Sequence, residues 1–240
     1  MDGPEKRLFK NQLLAALPDD AMARLTAAME PVALPVGMIL EQAGQSIQHV
    51  YFPESGIASV VALIDGGGKM EAGPFGWDGM SGIAIVQQVD TSPLQTLVQV
   101  GGAGHRVPAS LVAMLMEESP QARRLFLHYA YAFSLQAVYT ALAASVAVLE
   151  HRLARWLLML HDRVEGDEIR LTHDFMSMML AVRRPGVTVA LHQLEGRALI
   201  RSYRGRVLIR DREGLMELCD GIYGAPEAAY RRLILDPEGR

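Results

Sequence analysis

The sequence predicts an α+β fold, in which short antiparallel strands are followed by one long helix and then by shorter helices and a hairpin. Three observations predict it. Apolar runs alternate with turn clusters in the first hundred residues, a segment without formally charged residues follows, and a helical pattern with a basic hairpin begins near residue 171. A chain of 240 residues is long enough for one large or two modest domains, and half of its residues are apolar, which is ample for a core.

The N-terminal part has the pattern of an antiparallel β domain. Two short helices are predicted near Leu8–Leu17 and Asp19–Met29, and short strands follow. Glycine, proline and serine clusters separate the strands, at residues 43–45, 53–56, 65–68 and 101–104. Strands at this spacing favour a jelly roll. The segment Asp65–Met70 superficially resembles a phosphate loop, but a hairpin turn explains it better because the first glycine of that motif is missing.

The uncharged segment Leu125–Leu149 permits two interpretations. Its length could cross a bilayer. Polar residues interrupt it, however, and no second apolar segment accompanies it, so we predict a helix buried on one side by its own domain and on the other by a second copy. The helix is predicted to start at Ser119-Pro120, because proline is favoured in a first helical turn. A further helix is expected near Val148–Arg163.

Residues 171–200 have the pattern of two helices joined by a turn. Thr172 is the candidate N-cap of the first helix, and Pro185 marks the start of the second. Helical spacing directs three apolar residues of the second helix towards the core: Val187, Leu191 and Leu194. The opposite face carries Arg184, Thr188 and His192. That polar face could contact the bases of DNA.

Positive charge is concentrated directly after this pattern. From Arg183 to Arg212 there are eight arginines and two acidic residues, about +6, whereas the whole chain carries −4. A hairpin is predicted around a turn at Tyr203-Arg204-Gly205. Arginines beside a helix N-terminus neutralise phosphates. Helix, turn, helix and basic hairpin in this order indicate a winged helix-turn-helix that binds duplex DNA; an ordinary solvated helical hairpin is the alternative.

These motifs resemble those of the Crp/Fnr transcription regulators, the cyclic-AMP receptor protein superfamily. The resemblance runs from about Leu8 to Ile209 and is strongest in three stretches: Leu171–Phe175, Arg183–Val189 and Leu194–Ile200. It implies a cyclic-nucleotide-binding β-roll as sensory domain over residues 1–118 and a dimerisation helix over residues 119–146. The winged helix-turn-helix domain, with a C-terminal tail, takes residues 147–240. In the tail, further helices are expected around Leu215–Tyr223 and Ala225–Leu233.

The resemblance also implies how DNA would be contacted. The family reads the major groove with an arginine, an acid and a second arginine near the start of the recognition helix. This sequence keeps the first as Arg184 but has Pro185 and Val189 at the other two positions, so the family's operator does not carry over. Arg184 and Thr188 are expected at base edges, with Arg183 and His192 beside them. The expected phosphate contacts are Thr172, His173, Arg201, Arg204 and Arg206.

The ligand cassette departs from the family pattern. Relatives that bind cyclic AMP use a glutamate for the ribose and an arginine for the phosphate. The corresponding residues are Gly79, Met80, Ser81 and Gly82, followed by Leu94, Gln95 and Thr96. Met80 stands in the glutamate's place and Leu94 near the arginine's. Because a buried phosphate without a cationic partner is strongly disfavoured, we expect no control by cyclic AMP. The β-roll is then an empty scaffold, a pocket for another effector or a protein-interaction domain.

The predicted protein is a homodimeric, cytoplasmic transcription regulator that binds double-stranded DNA, with RNA polymerase as a further partner and an unknown small-molecule effector. An adaptor that binds proteins instead of DNA is the alternative. No enzyme activity, catalytic residue, metal or cofactor is expected, because the seven histidines lack metal-ligand spacing. The one cysteine, Cys219, is expected to be a packed apolar residue.

Overall fold

The computed structural model describes residues 9–64 and 68–237. Two short helices, Gln12–Ala16 (α1) and Asp19–Ala28 (α2), come first. The buried Asn11 caps α1, since its Oδ1 accepts hydrogen bonds from the N–H groups of Leu13 and Leu14. Its amide nitrogen donates to the backbone of the β domain and so fixes α1 on it. Both predicted helices are therefore present, but α1 is shorter than expected, and its predicted first residue, Leu8, lies outside the described residues.

Seven strands of the described N-terminal residues form two antiparallel sheets, which confirms the predicted β-roll. The strands are β1 (Glu30–Leu34), β2 (Ile39–Glu41), β3 (His49–Pro53), β4 (Ile57–Ile64), β5 (Gly68–Phe75), β6 (Gln95–Val100) and β7 (Gly102–Pro108). The sheet orders are β1-β7-β3 and β2-β6-β4-β5. Strands β4 and β5 pair as a hairpin from Ile64 opposite Gly68 onward. The turn predicted between them falls on residues 65–67, outside the described part.

Three helices follow the β-roll and lead to the C-terminal domain. A short helix, α3 (Ile83–Val86), lies between β5 and β6; α4 (Ala109–Glu118), α5 (Pro120–Val146) and α6 (Leu149–His161) come after β7. The predicted start of α5 is confirmed, because the Oγ of Ser119 accepts from the N–H of Ala122 and Pro120 lies in the first turn. Within the described residues, no helix has the length and apolar character required to cross a membrane.

Helix α5 is buried on one side and apolar on both. Phe126, Tyr129 and Ala130 pack into the β-roll core. Along the other side runs a row of exposed apolar side chains: Leu127, Tyr131, Val138, Leu142 and Val146. We call this row the α5 stripe. Nothing else in the described chain covers it.

The C-terminal domain has the winged helix-turn-helix arrangement. Its elements are β8 (Glu168–Arg170), α7 (His173–Met179), α8 (Arg184–Gly196), β9 (Ile200–Tyr203), β10 (Arg206–Ile209) and α9 (Arg212–Leu218). The predicted hairpin is β9 and β10, and β8 adds a third strand to give the order β8-β10-β9. Residues from α6, α8 and the small sheet form one buried core, among them Leu153, Leu157 and Val207.

The C-terminal tail returns to the N-terminal domain. After α9, which ends before the predicted Tyr223, helix α10 (Ala225–Tyr230) continues as a π-helical turn, Arg231–Leu235. The Tyr230 hydroxyl donates to the Gln12 side chain in α1 at 2.9 Å. Ile234 is only 4% exposed and belongs to the core of the β-roll and α5. The tail therefore bridges the two domains.

Candidate nucleic-acid interface and effector cavity

The turn between α7 and α8 sets the position of the second helix. The Oγ1 of Thr172 accepts from the N–H of Phe175 at 3.2 Å, which confirms the predicted N-cap of α7. After α7 the chain reverses through Ala181, which has a φ of +51°. Arg183 is then the N-cap residue of α8, and Pro185 lies in its first turn. Both helices therefore start where the local signals predict.

Helix α8 has one buried and one exposed face. Val187, Leu191 and Leu194 are buried against α6 and α7, as the spacing predicts. Arg184 and His192 are exposed, and Thr188 is half-buried between them. The Thr188 hydroxyl lies 3.4 Å from Nδ1 of His173. The structure thus brings Thr188, a candidate base contact on α8, next to His173, a candidate phosphate ligand on α7.

An acidic neighbour that the sequence reasoning missed accompanies Arg184. The guanidinium Nη1 lies 3.3 Å from Oδ1 of Asp174, and both side chains are mostly exposed. Exposed pairs of this kind contribute little, because water and salt screen them. Arg184 can therefore exchange this carboxylate for another partner at small cost. Asp174 lies in α7 and Arg184 in α8, so the periodicity of either helix alone does not predict the contact.

The wing presents its arginines unequally. Gly205, with a φ of +78°, makes the turn between β9 and β10, and Arg201 and Arg204 are exposed on this hairpin. Arg206 instead donates to the Glu168 carboxylate at 2.7 Å, and its guanidinium covers the ring of Tyr203. Glu168 belongs to β8, a three-residue strand too short for an alternation pattern to reveal. One of the three candidate wing arginines is therefore held by a carboxylate of the same small sheet.

A cavity of about 240 Å³ lies between the β-roll and α5. Five of the seven cassette residues line it: Met80, Ser81, Gly82, Leu94 and Thr96. Gly79 and Gln95 do not. Gly79 packs so closely on α5 that a Cβ there would lie 2.5 Å from the Tyr129 hydroxyl oxygen. The α5 residues in the cavity wall are Ala130, Phe133, Ser134 and Ala137. The cavity therefore touches the helix that carries the α5 stripe.

The charged group in this cavity is a carboxylate. Glu41, at the end of β2, is buried, and its Oε1 accepts a hydrogen bond from the N–H of Gly82. Burial raises the pKa of Glu41, and the hydrogen bond from the N–H of Gly82 opposes that shift. None of the residues that line the cavity is Lys, Arg or His. No local sequence signal marks Glu41, because its partner Gly82 is 41 residues away.

Cys219 is packed in the core of the C-terminal domain. Cys219 is a free, buried thiol, and burial raises its pKa to about 12, as fits a packed apolar residue. In the described ranges 9–64 and 68–237, no three His, Cys, Asp or Glu side chains are grouped so that they could hold a metal ion. His161, whose neighbour Asp162 cannot face it on one helix, contacts Asp167 and Arg212 instead.

Comparison with known proteins agrees with this architecture. Residues 151–218 match the model of the Crp-like helix-turn-helix domain. A search of curated protein sequences gives no significant match. Solved structures with the same fold include FixK2 from Bradyrhizobium japonicum, at 16% identity and a TM-score of 0.67, covering 79% of this chain and 96% of that one. At such identity the likeness establishes the fold alone.

Two further structures extend the same comparison. A protein from Eubacterium rectale described as a transcriptional regulator of the Crp/Fnr family has a TM-score of 0.67 at 16% identity, covering 85% of this chain and 96% of its own. A transcriptional regulator of the CRP family from Thermus thermophilus has a TM-score of 0.65 at 16% identity, covering 80% and 97%.

The architecture and the domain match agree with each other. A β-roll, a long connecting helix and a winged helix-turn-helix follow one another in the order found in these regulators. Residues 151–218 thus form a Crp-like helix-turn-helix domain, and the chain has the fold of the Crp/Fnr regulators with which it was compared.

Proposed function

We propose that this protein is a dimeric regulator that reads double-stranded DNA with α8 and does not respond to cyclic AMP. The observation that carries the proposal is the exposed face of α8 beside an arginine-rich wing, in a chain that is acidic overall. Positive charge concentrated in the segment 183–212 favours a polyanionic partner.

The proposed contacts divide into two roles. Arg184 and Thr188 approach base edges in the major groove, with Arg183 and His192 at the flanks. The other residues hold phosphates and fix the register: Thr172, His173, Arg201, Arg204 and Arg206. Two of these arginines must first leave a carboxylate, since Arg184 pairs with Asp174 and Arg206 with Glu168.

The α5 stripe is the proposed dimer interface, and a second copy of this chain is its occupant. The stripe continues along most of a 27-residue helix, and two such helices pair through matching surfaces in a two-fold dimer. Apolar rows of this extent are costly to leave in water. The pairing would set the two recognition helices about 34 Å apart, one turn of DNA. Residues 1–118, 119–146 and 147–240 then act as sensory, dimerisation and DNA-binding parts of a cytoplasmic protein that works with RNA polymerase.

The β-roll cavity supports the absence of cyclic-AMP control. A cyclic phosphate placed there would face the carboxylate of Glu41 and no cationic side chain. Both the desolvation of the phosphate and its repulsion by a charged Glu41 oppose binding. An effector for this cavity is therefore uncharged or cationic, with an apolar body.

Titration of duplex DNA at several salt concentrations tests the proposal against the adaptor alternative. The full chain should select duplexes from a random pool, and its affinity for them should fall steeply as salt rises. An adaptor would select none. Failure to bind any duplex at low salt contradicts the proposed function.

A further inference from the structure

An apolar side chain lies near the centre of the exposed face of α8. Val189 is 57% exposed and does not belong to the core that α8 forms with α6 and α7. At 3.6 residues per turn, Val189 lies roughly 160° around the helix from both Val187 and Leu191, which are buried. Pro185, also exposed, is one turn earlier on the same strip. The centre of the exposed face is therefore an apolar pair, and the polar residues Arg184 and Thr188 lie to one side.

Pro185 begins α8, but Val189 has no role in the fold that would account for it. An exposed valine on a helix contributes no buried area, and its branched side chain makes it a poorer helix former than alanine. Val189 has no hydrogen-bond donor or acceptor, so it cannot read a purine or a cytosine through its polar edge. A partner that it contacts must offer an apolar group.

Thymine offers such a group in the major groove. Its 5-methyl group is the apolar feature among the base edges there, and apolar side chains read it by contact. We propose that Val189, supported by Pro185, is a specificity-determining residue that packs on a thymine 5-methyl group in each half-site. This inference rests on the proposed function, because it requires α8 to lie in the major groove.

The chemistry gives the expected size of the effect. One methyl group removed from water corresponds to about 0.8 kcal/mol, which is about fourfold in affinity. Two half-sites in a dimer raise this to roughly fifteenfold when both thymines are changed. The effect is specific to one base position, whereas loss of a phosphate contact weakens all sequences alike.

Replacement of thymine by deoxyuridine removes only the methyl group and so tests the contact directly. The full chain first selects duplexes from a random pool, and each conserved thymine of the selected duplex is then replaced symmetrically by deoxyuridine. At one position the wild-type protein should lose roughly fifteenfold in affinity. Val189→Ala should bind the thymine duplex roughly fifteenfold more weakly than the wild type does. It should no longer distinguish thymine from deoxyuridine at that position.

Two matched variants serve as controls. Val36→Ala changes a valine that is 62% exposed in the N-terminal domain, and it should keep the full thymine preference. Arg204→Ala should weaken both duplexes equally. Circular dichroism checks that Val189→Ala keeps its helices, as the higher helix propensity of alanine predicts.

The outcomes separate this inference from the function on which it rests. A thymine preference that persists in Val189→Ala, or selected duplexes at which no deoxyuridine substitution matters, overturns the role of Val189 and leaves DNA binding intact. Absence of binding to any duplex overturns both. Loss of the thymine preference in Val189→Ala, together with its retention in Val36→Ala, establishes the contact.

Discussion

The indole N–H of Trp156 donates a hydrogen bond to the carboxylate of Glu71, and this bond joins α6 of the C-terminal domain to β5 of the β-roll. Glu71 is 1% exposed, and its other oxygen accepts from the hydroxyl of Ser59. Burial raises the pKa of Glu71 to about 7, although the hydrogen bonds from Ser59 and Trp156 and the charges of Arg163 and Arg155 oppose the shift. The domain contact therefore contains an acid that titrates close to neutral pH.

The first prediction concerns the pH dependence of stability. The folded pKa of Glu71, about 7, lies above its ordinary value of 4.5, so the folded state binds the proton more tightly than the unfolded state. The contribution of Glu71 is fully present below pH 4.5 and is lost as pH rises to about 7. Relative to Glu71→Gln, the free energy of unfolding of the wild type should fall by roughly 3 kcal/mol across this window.

Urea unfolding of both proteins at a series of pH values measures this difference. The exposed Glu117→Gln variant controls for the loss of a carboxylate as such. Parallel pH profiles for the wild type and Glu71→Gln would contradict the prediction.

The second prediction concerns assembly. Val138 in the α5 stripe is 60% exposed in the single chain, and Val138→Glu would place a charge in the proposed interface, where its desolvation is unfavourable. Sedimentation should give the wild type twice its chain mass of 26.3 kDa and the variant the mass of one chain. Val36→Glu, at a position of similar exposure outside the stripe, should remain a dimer. A wild type that sediments as a single chain at micromolar concentration would contradict the proposed interface.

The third prediction separates the roles of two arginines. Arg184→Ala should weaken binding to the selected duplex by about 1–3 kcal/mol and relax the preference at one base pair. Arg204→Ala should weaken binding to all sequences alike and lower the salt slope by about one. Binding titrations on selected and random duplexes measure both effects. Equal losses on both duplexes for both variants contradict the assigned roles.

The fourth prediction concerns the acidic neighbour of Arg184. Asp174→Asn removes the carboxylate that holds the guanidinium in the free protein, and it also removes a negative charge near the phosphates. Affinity for duplex DNA should rise by a few-fold, and the gain should shrink at high salt. In the Arg184→Ala background the same substitution should gain less. An equal gain in both backgrounds would show that the ion pair plays no part.

The fifth prediction concerns cyclic nucleotides. Calorimetry should detect no binding of cyclic AMP or cyclic GMP at physiological concentrations, because Glu41 faces the cavity and no cation lines it. DNA titrations should give the same affinity with and without either nucleotide. Micromolar binding of cyclic AMP with a tenfold gain in DNA affinity would refute our interpretation of the cavity.

The sequence predicted the features whose signals are local. Thr172 caps α7 and Ser119 caps α5 through contacts within three residues, and Pro185 starts α8 through its own ring geometry. These signals do not depend on the rest of the fold. The winged helix-turn-helix and the start of α5 were therefore predictable.

The features that escaped prediction depend on distant pairs. Glu41 accepts a hydrogen bond from Gly82. Arg206 donates to Glu168, which is 38 residues away in the sequence. Tyr230 meets Gln12 across 218 residues. Each contact is determined by the packing of whole elements, and no periodicity along the chain encodes it. The electrostatics of the site and the course of the tail therefore required the structure.

The returning tail closes the polypeptide into a ring of contacts. The C-terminal domain is attached to its own β-roll through the junction of α5 and α6, through the hydrogen bond from Trp156 to Glu71, and through the tail on α1. A domain held only at its junction could rotate about that junction. Contacts at both ends of the domain oppose this rotation. To swing, the domain would have to extract Ile234 from its core, at a cost of roughly 2–3 kcal/mol, and break the bond between Tyr230 and Gln12 as well. The tail thus restricts hinge motion between the C-terminal domain and the β-roll.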